Sequence, residues 1–233
     1  MRICVFSDIH GNGPAFRVAY DMIISEKADL NIFLGDLCGY YFDQKQIYEM
    51  ILSLPRLIAL QGNHDRIFIK VVQGDEDLRR NYLWEYGSSL EHLIEGDNQK
   101  MYFWLSGLPE SYSFPDLDLN CCHGSPWNPM DGYVYPDSTL DKFLDYPDSL
   151  FVLGHTHYPM ARTINDNLIV NPGSLGQPRH GGWPTYALIE YPSKKVVFRE
   201  VLYDKSVLLS RIDELDSNNK YLKEVTLRSG HNG

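Results

Sequence analysis

The first third of the chain alternates short apolar runs with amphipathic stretches. The apolar runs predict buried strands over residues 3–6, 30–34 and 57–60. The stretches between them, 14–26 and 44–52, have the apolar spacing of helices. This strand–helix–strand–helix–strand order predicts parallel strands joined by crossover helices, with ligand-binding residues at the carboxyl ends of the strands.

The pattern changes in the rest of the chain. Residues 64–105 carry Leu and Ile at helical intervals, which predicts a helix-rich segment. From residue 112 onward, short apolar runs separated by Pro, Gly and Asn turns predict a second sheet. Its predicted strands are 117–122, 150–153, 168–170, 186–189 and 196–202. A final helix is predicted over 205–215, followed by a polar tail over 216–233.

Composition and charge exclude several classes of protein. The 233 residues are 43% hydrophobic and 22% charged, which is typical of a globular protein and not of a disordered or fibrous one. The formal net charge of −10 argues against long nucleic acid as a partner, because such binding rests on a cationic face. A small anionic substrate held by metal ions is compatible with this charge.

The cysteines and the apolar runs indicate where the protein works. Four cysteines, two of them adjacent and none with C-x-x-C spacing, do not form a disulfide framework. The sequence opens on a strand-like run without the features of a signal peptide. No apolar run approaches the roughly 18 residues of a membrane span. We therefore expect a cytoplasmic protein with no membrane partner.

Five short motifs at the predicted strand ends offer oxygen or imidazole donors. They are Asp8-Ile9-His10, Gly35-Asp36, Gly62-Asn63-His64-Asp65, His123-Gly124 and Gly154-His155-Thr156-His157. Side chains two residues apart on extended backbone point the same way, so Asp8 and His10 can hold one ion. The same reasoning pairs His155 with His157. Five of the eight histidines lie in these motifs, which favours a metal site over chance placement.

The donor types restrict the metal. Two carboxylates, four imidazoles and one amide oxygen, without thiolate, suit a hydrolytic site better than a structural zinc site. Seven side chains are too many for one ion with an open position, but they fit two ions about 3.5–4 Å apart if one carboxylate bridges them. The preferred cofactor is a pair of divalent ions, Mn or Fe, with Zn, Co and Ni as alternatives.

The ordered set of five motifs resembles the calcineurin-like metallophosphoesterase superfamily. The resemblance covers residues 8–157, and Asn171-Pro172-Gly173-Ser174 extends it. It implies an α/β (α+β) fold, a four-layer αββα sandwich of two stacked mixed sheets flanked by helices. It also implies one domain over 1–215 that contains the helix-rich segment, with the polar tail after it, because any cut between 8 and 157 would divide the site.

The resemblance assigns roles to the motif residues. The ligands of the first ion are Asp8, His10 and His157. The ligands of the second ion are Asn63, His123 and His155. The bridging carboxylate is Asp36. His64 is placed near the leaving-group oxygen, where it can donate a proton or a hydrogen bond, and Asp65 orients it. Asp65 alternatively caps the helix that follows.

Three residues outside the ligand set are candidates for substrate binding. Asn12 contacts the substrate phosphate or caps the helix that begins near residue 14. Arg179, in Gly176-Gln177-Pro178-Arg179, resembles a segment of the bacterial and archaeal phosphodiesterase branch and can form paired hydrogen bonds with a phosphate. That branch commonly has an acidic residue where this chain has His180, so contacts there stay open. Tyr133 and Tyr135 stack on a base or pack within the protein.

The function that the resemblance implies is a phosphodiesterase that depends on two metal ions. It would hydrolyse a small phosphate ester, with nucleotides among the candidates, by in-line attack of a hydroxide that bridges the ions. The alternatives are a dinucleoside polyphosphate hydrolase, a phosphomonoesterase and a non-catalytic protein-binding scaffold. Protein phosphatases of the superfamily usually carry arginines where this chain has Gln61 and Leu37-Cys38-Gly39-Tyr40, which disfavours that class. A homodimer is left open.

Overall fold

The computed structural model describes residues 1–147 and 149–228, and within these the chain forms ten strands and eight α-helices. The strands are β1 (Arg2–Phe6), β2 (Leu30–Phe33), β3 (Leu57–Ala59), β4 (Ser111–Phe114), β5 (Leu119–Cys122), β6 (Leu150–Leu153), β7 (Pro159–Ile164), β8 (Asn167–Pro172), β9 (Thr185–Glu190) and β10 (Lys195–Glu200). The helices are α1 (Gly13–Glu26), α2 (Gln44–Leu52), α3 (Asn63–Val72), α4 (Glu76–Tyr86), α5 (Ser89–Glu95), α6 (Gln99–Ser106), α7 (Lys205–Leu215) and α8 (Lys220–Arg228). Two 3-10 helices cover Pro115–Leu117 and Asp141–Asp145.

The strands form two five-stranded mixed sheets. The first has the order β10-β9-β1-β2-β3, with β1, β2 and β3 parallel and β9 antiparallel to β1. The second has the order β4-β5-β6-β8-β7, with β5, β6 and β8 parallel and antiparallel strands at both edges. The crossover topology predicted for the first third of the chain is confirmed.

The two sheets face each other across an apolar core. Alternate residues of β1 point to opposite sides, so Ile3 and Val5 pack against the second sheet, where they meet Leu150 and Val152 of β6. Phe6 points the other way, into a cluster formed with the helices. Because strands buried on both faces read as continuous apolar runs, this packing explains the run in β1.

The predicted four-layer sandwich is confirmed. Helices cover the outer face of the first sheet. The outer face of the second sheet is covered by the loop after β5 and the 3-10 helix at Asp141–Asp145, whose Phe143 packs on Phe151 of β6 with ring centroids 5.0 Å apart. That layer is therefore thinner than the helical layer. No helix in the described ranges is long and apolar enough to cross a membrane.

Three elements differ from the sequence-based prediction. The edge strands β4 and β7 were not predicted, because β4 is mostly exposed and β7 buries only Met160. The region predicted as a polar tail contains α8, which buries Leu222 and Val225 on one face. These two residues are spaced three apart, which is a helical interval. Residues 229–233 of the predicted tail lie outside the described residues.

The topology brings the motifs together. Strands β1, β2 and β3 of the first sheet and β5 and β6 of the second are each followed by one of the five motifs. All five strands run parallel within their sheets, so their carboxyl ends lie at one edge of each sheet. The stacked edges form one site, as expected for ligand sites in open α/β sheets.

Candidate metal centre

The loops that carry the predicted ligands have left-handed backbone. The φ angles are 55° at Asp8, 50° at His10, 62° at Asp36, 68° at His155 and 64° at His157. The prediction of extended backbone at Asp8–His10 and at His155–His157 was therefore wrong. Left-handed backbone is rare in residues other than glycine and clusters at functional sites, where surrounding contacts hold it.

Backbone hydrogen bonds between loops hold this conformation. The amides of Ile9 and His10 both donate to the carbonyl oxygen of Asp36, at 2.9 and 3.0 Å. The hydroxyl of Ser174 donates to the carbonyl oxygen of Asp8 at 2.7 Å. The side-chain amide of Asn171 donates to the carbonyl oxygen of Gly154 at 2.7 Å. The extension of the motif set at residues 171–174 therefore braces the ligand loops.

One cluster of donor atoms consists of Asp8, His10 and His157. The Nε2 atoms of His10 and His157 are 3.1 Å apart, and Nε2 of His157 is 3.4 Å from Oδ1 of Asp8. Nε2 of His10 lies 3.8 Å from the same oxygen. All three side chains are buried. These are the three residues predicted to hold the first ion.

A second cluster consists of Asp36, His123 and His155, whose ligand atoms lie within 4.8 Å of one another. Nε2 of His123 is 3.3 Å from Oδ2 of Asp36 and 3.1 Å from Oδ1 of Asn63. The structure thus brings the predicted ligands of the second ion together. The inference that His155 and His157 grip the same ion was wrong, since the two side chains belong to different clusters.

Asp36 lies between the two clusters. Its Oδ2 is 3.7 Å from Nε2 of His10 in the first cluster and 3.3 Å from Nε2 of His123 in the second. Its other oxygen accepts a hydrogen bond from the backbone amide of His64 at 2.8 Å. One oxygen is thus anchored and the other faces donor atoms from both sides, which is the position required of a bridging carboxylate.

The histidine hydrogen bonds show that the clustered nitrogens carry lone pairs. The Nδ1 atoms of His10, His123 and His157 each lie 2.7–2.8 Å from a backbone carbonyl oxygen. A carbonyl oxygen only accepts, so each Nδ1 carries a proton and, in the neutral ring, each Nε2 is a bare acceptor. The Nε2 atoms of His10 and His157 therefore face each other as two acceptors. A cation between them satisfies both.

Three further acceptors point into the same space without a hydrogen-bond donor among the described residues. They are Oδ1 of Asp8, Oδ2 of Asp36 and Nε2 of His155. The second oxygen of Asp8 accepts from the backbone amide of His155 at 3.1 Å, so only one oxygen is left without a partner. Buried acceptors without partners are costly. The donor set therefore fits divalent metal ions, which match its chemistry and its burial.

In the protein without metal, the buried carboxylates of the two clusters also favour positive charge at the site. Burial disfavours a charged His123, yet the carboxylates of Asp36 and Asp8 raise its pKa to about 9. Burial and the neighbouring His123 lower the pKa of His155 to about 4. Without metal, the carboxylates of Asp8 and Asp36 thus favour a positive charge on His123. A metal ion supplies this positive charge when it binds.

The order of the five motifs along the chain and the fold together indicate the family. The family model of the calcineurin-like phosphoesterase superfamily domain matches residues 1–194. The chain belongs to the calcineurin-like phosphoesterase superfamily. The match covers all five motifs, so the resemblance predicted from them is confirmed. Divalent metal ions are the cofactors that this family and these clusters imply.

Relatives in the calcineurin-like phosphoesterase superfamily match most of the chain. The protein MJ0912 of Methanocaldococcus jannaschii is 29% identical over 223 residues, which cover 87% of this chain and 88% of that protein. Phosphodiesterase YfcE of Escherichia coli is 21% identical over 217 residues, covering 89% and 96% of the two chains. The crystal structure of a metallophosphoesterase from Sphaerobacter thermophilus has a TM-score of 0.80 at 24% identity and covers 98% and 99%. This last likeness shows that the fold is shared over the whole length.

His64 lies at the edge of the calcineurin-like site. One of its ring nitrogens lies within 4.8 Å of ligand atoms of His10 and Asp36. Its Nδ1 shares a hydrogen bond with the hydroxyl of Tyr82 at 3.3 Å. Tyr82 lies on α4, is buried, and was not predicted as a site residue. Tyr82 and Tyr86 are four residues apart in a segment predicted as helical, and this spacing was the signal that could have found them.

Asp65 does not hold the ring of His64 as predicted. One of its oxygens accepts from the amides of Asp36 and Gly62 at 2.9 and 3.0 Å, and the other accepts from the amide of Cys38 at 2.9 Å. Burial, with Asp36 nearby, raises its pKa to about 7. The helix-capping alternative agrees with the bond to Gly62, which precedes α3. Asp65 therefore ties the loop of the bridging carboxylate to the start of α3.

The three candidate substrate contacts have different surroundings. Asn12 is fully buried, caps α1 through Ala15, and donates to the carbonyl oxygen of Gly176 at 2.9 Å. Its side chain is thus occupied by the fold, which supports the capping alternative over a phosphate contact. The ring of His180 is exposed and lies against Gly182, so its contacts are with its own loop. Arg179 approaches the site, with its guanidinium 3.5 Å from the hydroxyl of Tyr40.

Proposed function

We propose that this chain is a phosphodiesterase that hydrolyses a small phosphate ester with two divalent ions, Mn or Fe, in its site. The position of Asp36 carries the proposal, because its free oxygen faces donor atoms of both clusters. A relative named as a phosphodiesterase, YfcE of Escherichia coli, supports the same reaction class. A cytoplasmic location and a homodimer stay predictions from the sequence.

The residues have distinct tasks in this reaction. Asp8, His10 and His157 would hold one divalent ion, and the cluster around His123 would hold the other. When bound, these ions would make a nucleophile available near neutral pH and would offset the charge on the phosphate oxygens. The backbone hydrogen bonds from Nδ1 fix the ring orientation and keep Nε2 available for the metal. His64, at the edge of the site, donates a proton or a hydrogen bond to the departing oxygen.

The charges near the site favour a diester over a monoester. Gln61 and the segment Leu37-Cys38-Gly39-Tyr40 carry no arginine where protein phosphatases of this superfamily usually do, and the side-chain amide of Gln61 donates to the carbonyl oxygen of Leu105 at 2.8 Å. Among the residues that line the cleft at the site, Arg179 is the single cation. A phosphodiester carries one negative charge, which matches this modest supply of positive charge.

Hydrolysis of bis-p-nitrophenyl phosphate and of p-nitrophenyl phosphate by the Mn-loaded protein tests the proposal. We expect faster cleavage of the diester. We also expect Asn63→Ala to lower the rate by more than about 100-fold, because even the outer partners of metal ligands are worth about 10–100-fold. Asn120→Ala, which removes an amide from β5 away from the clusters, serves as the matched control and keeps wild-type activity. Preference for the monoester would indicate a phosphatase instead.

His64→Ala is expected to affect substrates according to their leaving group. General acid catalysis contributes about 100-fold or more when the departing oxygen needs a proton, and little when it leaves readily. The variant should therefore lose at least about 100-fold in kcat on a dinucleotide, whose leaving group is an alkoxide. The loss on bis-p-nitrophenyl phosphate should be much smaller. His92→Ala is the matched control, and an equal loss on both substrates would contradict this role.

A further inference from the structure

A cleft of about 540 Å³ opens beside the metal centre, and the proposed reaction leaves most of its lining without a task. Its lining is aromatic apart from one acid and one base: Tyr40, Glu85, Tyr86, Tyr133, Arg179 and Tyr221. The tyrosines come from four separate parts of the chain, namely the loop after β2, helix α4, the loop after β5 and helix α8. The folded chain thus assembles an aromatic wall at one place.

The cleft is continuous with the metal centre. The ring of Tyr40 stands edge-on to that of His10, with centroids 4.7 Å apart. Tyr133 lies 4.2 Å from the ring of His155 in the other cluster. Tyr86 lies 5.2 Å from His64. A phosphate at the metal centre would therefore have its ester group in or beside this cleft.

Two of the tyrosines expose about half of their surface to solvent. Tyr133 is 55% exposed and Tyr221 is 45% exposed, although both are large aromatic residues. Both are also held in place, since Tyr133 stacks on Tyr135 at 5.7 Å with an interplanar angle of 7°. The hydroxyl of Tyr221 donates to Oε1 of Gln177 at 3.5 Å, and its neighbour Leu222 anchors α8 in the core. Fixed, exposed rings are a suitable surface for stacking a flat ligand.

The charges of the cleft restrict what lies on this surface. Arg179 sits beside Tyr40, where a guanidinium can bond a phosphate oxygen. Glu85 lies on the lining as an exposed carboxylate. A carboxylate repels a second phosphate, and it accepts hydrogen bonds from amino groups. The lining therefore favours a flat aromatic group with amino hydrogens, attached to a single phosphate.

We propose that this tyrosine-lined cleft binds the nucleobase of a nucleotide ester, with Tyr133 and Tyr221 as stacking surfaces. The inference rests on the proposed function, because it assigns the substrate class of the same site. Base–aromatic stacking is worth about tenfold or more in affinity per base. The base thus selects the substrate, while the metal centre holds its phosphate.

Binding of adenosine 5′-monophosphate and of ribose 5-phosphate to the Mn-loaded protein tests this proposal by calorimetry. The two ligands share phosphate and sugar and differ only in the base. We expect the nucleotide to bind about tenfold or more tightly. Tyr221→Leu and, separately, Tyr133→Leu should reduce this ratio several-fold. Tyr112→Leu, which changes an exposed tyrosine of β4 away from the cleft, should keep it.

The outcomes separate this inference from the proposed function. A ratio near one in the wild-type protein overturns the base-binding role, even if bis-p-nitrophenyl phosphate is hydrolysed. A ratio that survives both cleft substitutions overturns it as well. A large ratio that the cleft variants remove supports the base-binding role, whether or not any ester is cleaved, because binding does not depend on turnover. Thermal melts of both variants confirm that each is folded.

Discussion

Asp36→Asn should remove both metal binding and hydrolysis. The substitution keeps the size of the side chain and an oxygen acceptor, but it removes the negative charge that lies between the two clusters. Oδ2 of Asp36 is 3.7 Å from Nε2 of His10 and 3.3 Å from Nε2 of His123, so the same carboxylate would hold an ion in either cluster. Loss of an outer partner of a metal ligand costs about 10–100-fold, and loss of the bridging ligand should cost well over about 100-fold.

The measurement is metal content and diester hydrolysis on the same sample. Asp116→Asn is the matched control, since Asp116 is an exposed aspartate in the 3-10 helix before β5. It should keep wild-type metal content and rate. An Asp36→Asn protein that retains both ions and hydrolyses the diester within about tenfold of wild type would show that Asp36 does not bridge.

Metal binding should also stabilise the fold strongly. Folding buries acceptors that face each other away from water, and a bound cation removes the cost of that burial. A ligand that binds only the native state adds about 2.7 kcal/mol per site at a concentration of 100 times its Kd. For a chain of this size that corresponds to about 5–11 °C in Tm for each ion.

Thermal unfolding with excess Mn and with a chelator measures this effect. The Tm of the wild-type protein should rise with Mn, and that of Asp36→Asn should rise far less. Asp116→Asn should respond as the wild type does. Melting curves that coincide with and without metal would contradict the assignment of the two clusters as metal sites.

Much of the fold was predictable because its strands are buried on both faces. Strands β1, β2 and β6 were predicted from their local apolar runs alone. Helices α2 and α7 were predicted with the bounds that the structure has. The exposed edge strand β4 has no such pattern. Helix α8 was missed because its polar residues outnumber its two buried apolar residues, Leu222 and Val225.

The sequence predicted which residues come together in the candidate site, but it did not predict the backbone conformation that holds them there. Donor types at strand ends brought the seven predicted ligands into one group, yet the left-handed backbone at Asp8 and His155 follows from contacts between loops. The same limit applies to Asp65, which accepts backbone hydrogen bonds from Asp36 and Cys38, 29 and 27 positions earlier in the chain, in addition to its bond with Gly62. Tyr82 reaches His64 only because α4 packs beside α3. The spacing of Tyr82 and Tyr86 places both on one helix, but the sequence does not show locally which residue that helix contacts.

The most direct test of two-metal catalysis is a titration of the metal-stripped protein with Mn. At each step, the rate of diester hydrolysis and the number of ions bound per chain are measured. A site with two ions joined by Asp36 predicts that hydrolysis of bis-p-nitrophenyl phosphate rises with added metal and reaches its plateau at two ions per chain. Saturation at one ion, or hydrolysis that does not depend on metal, would contradict it.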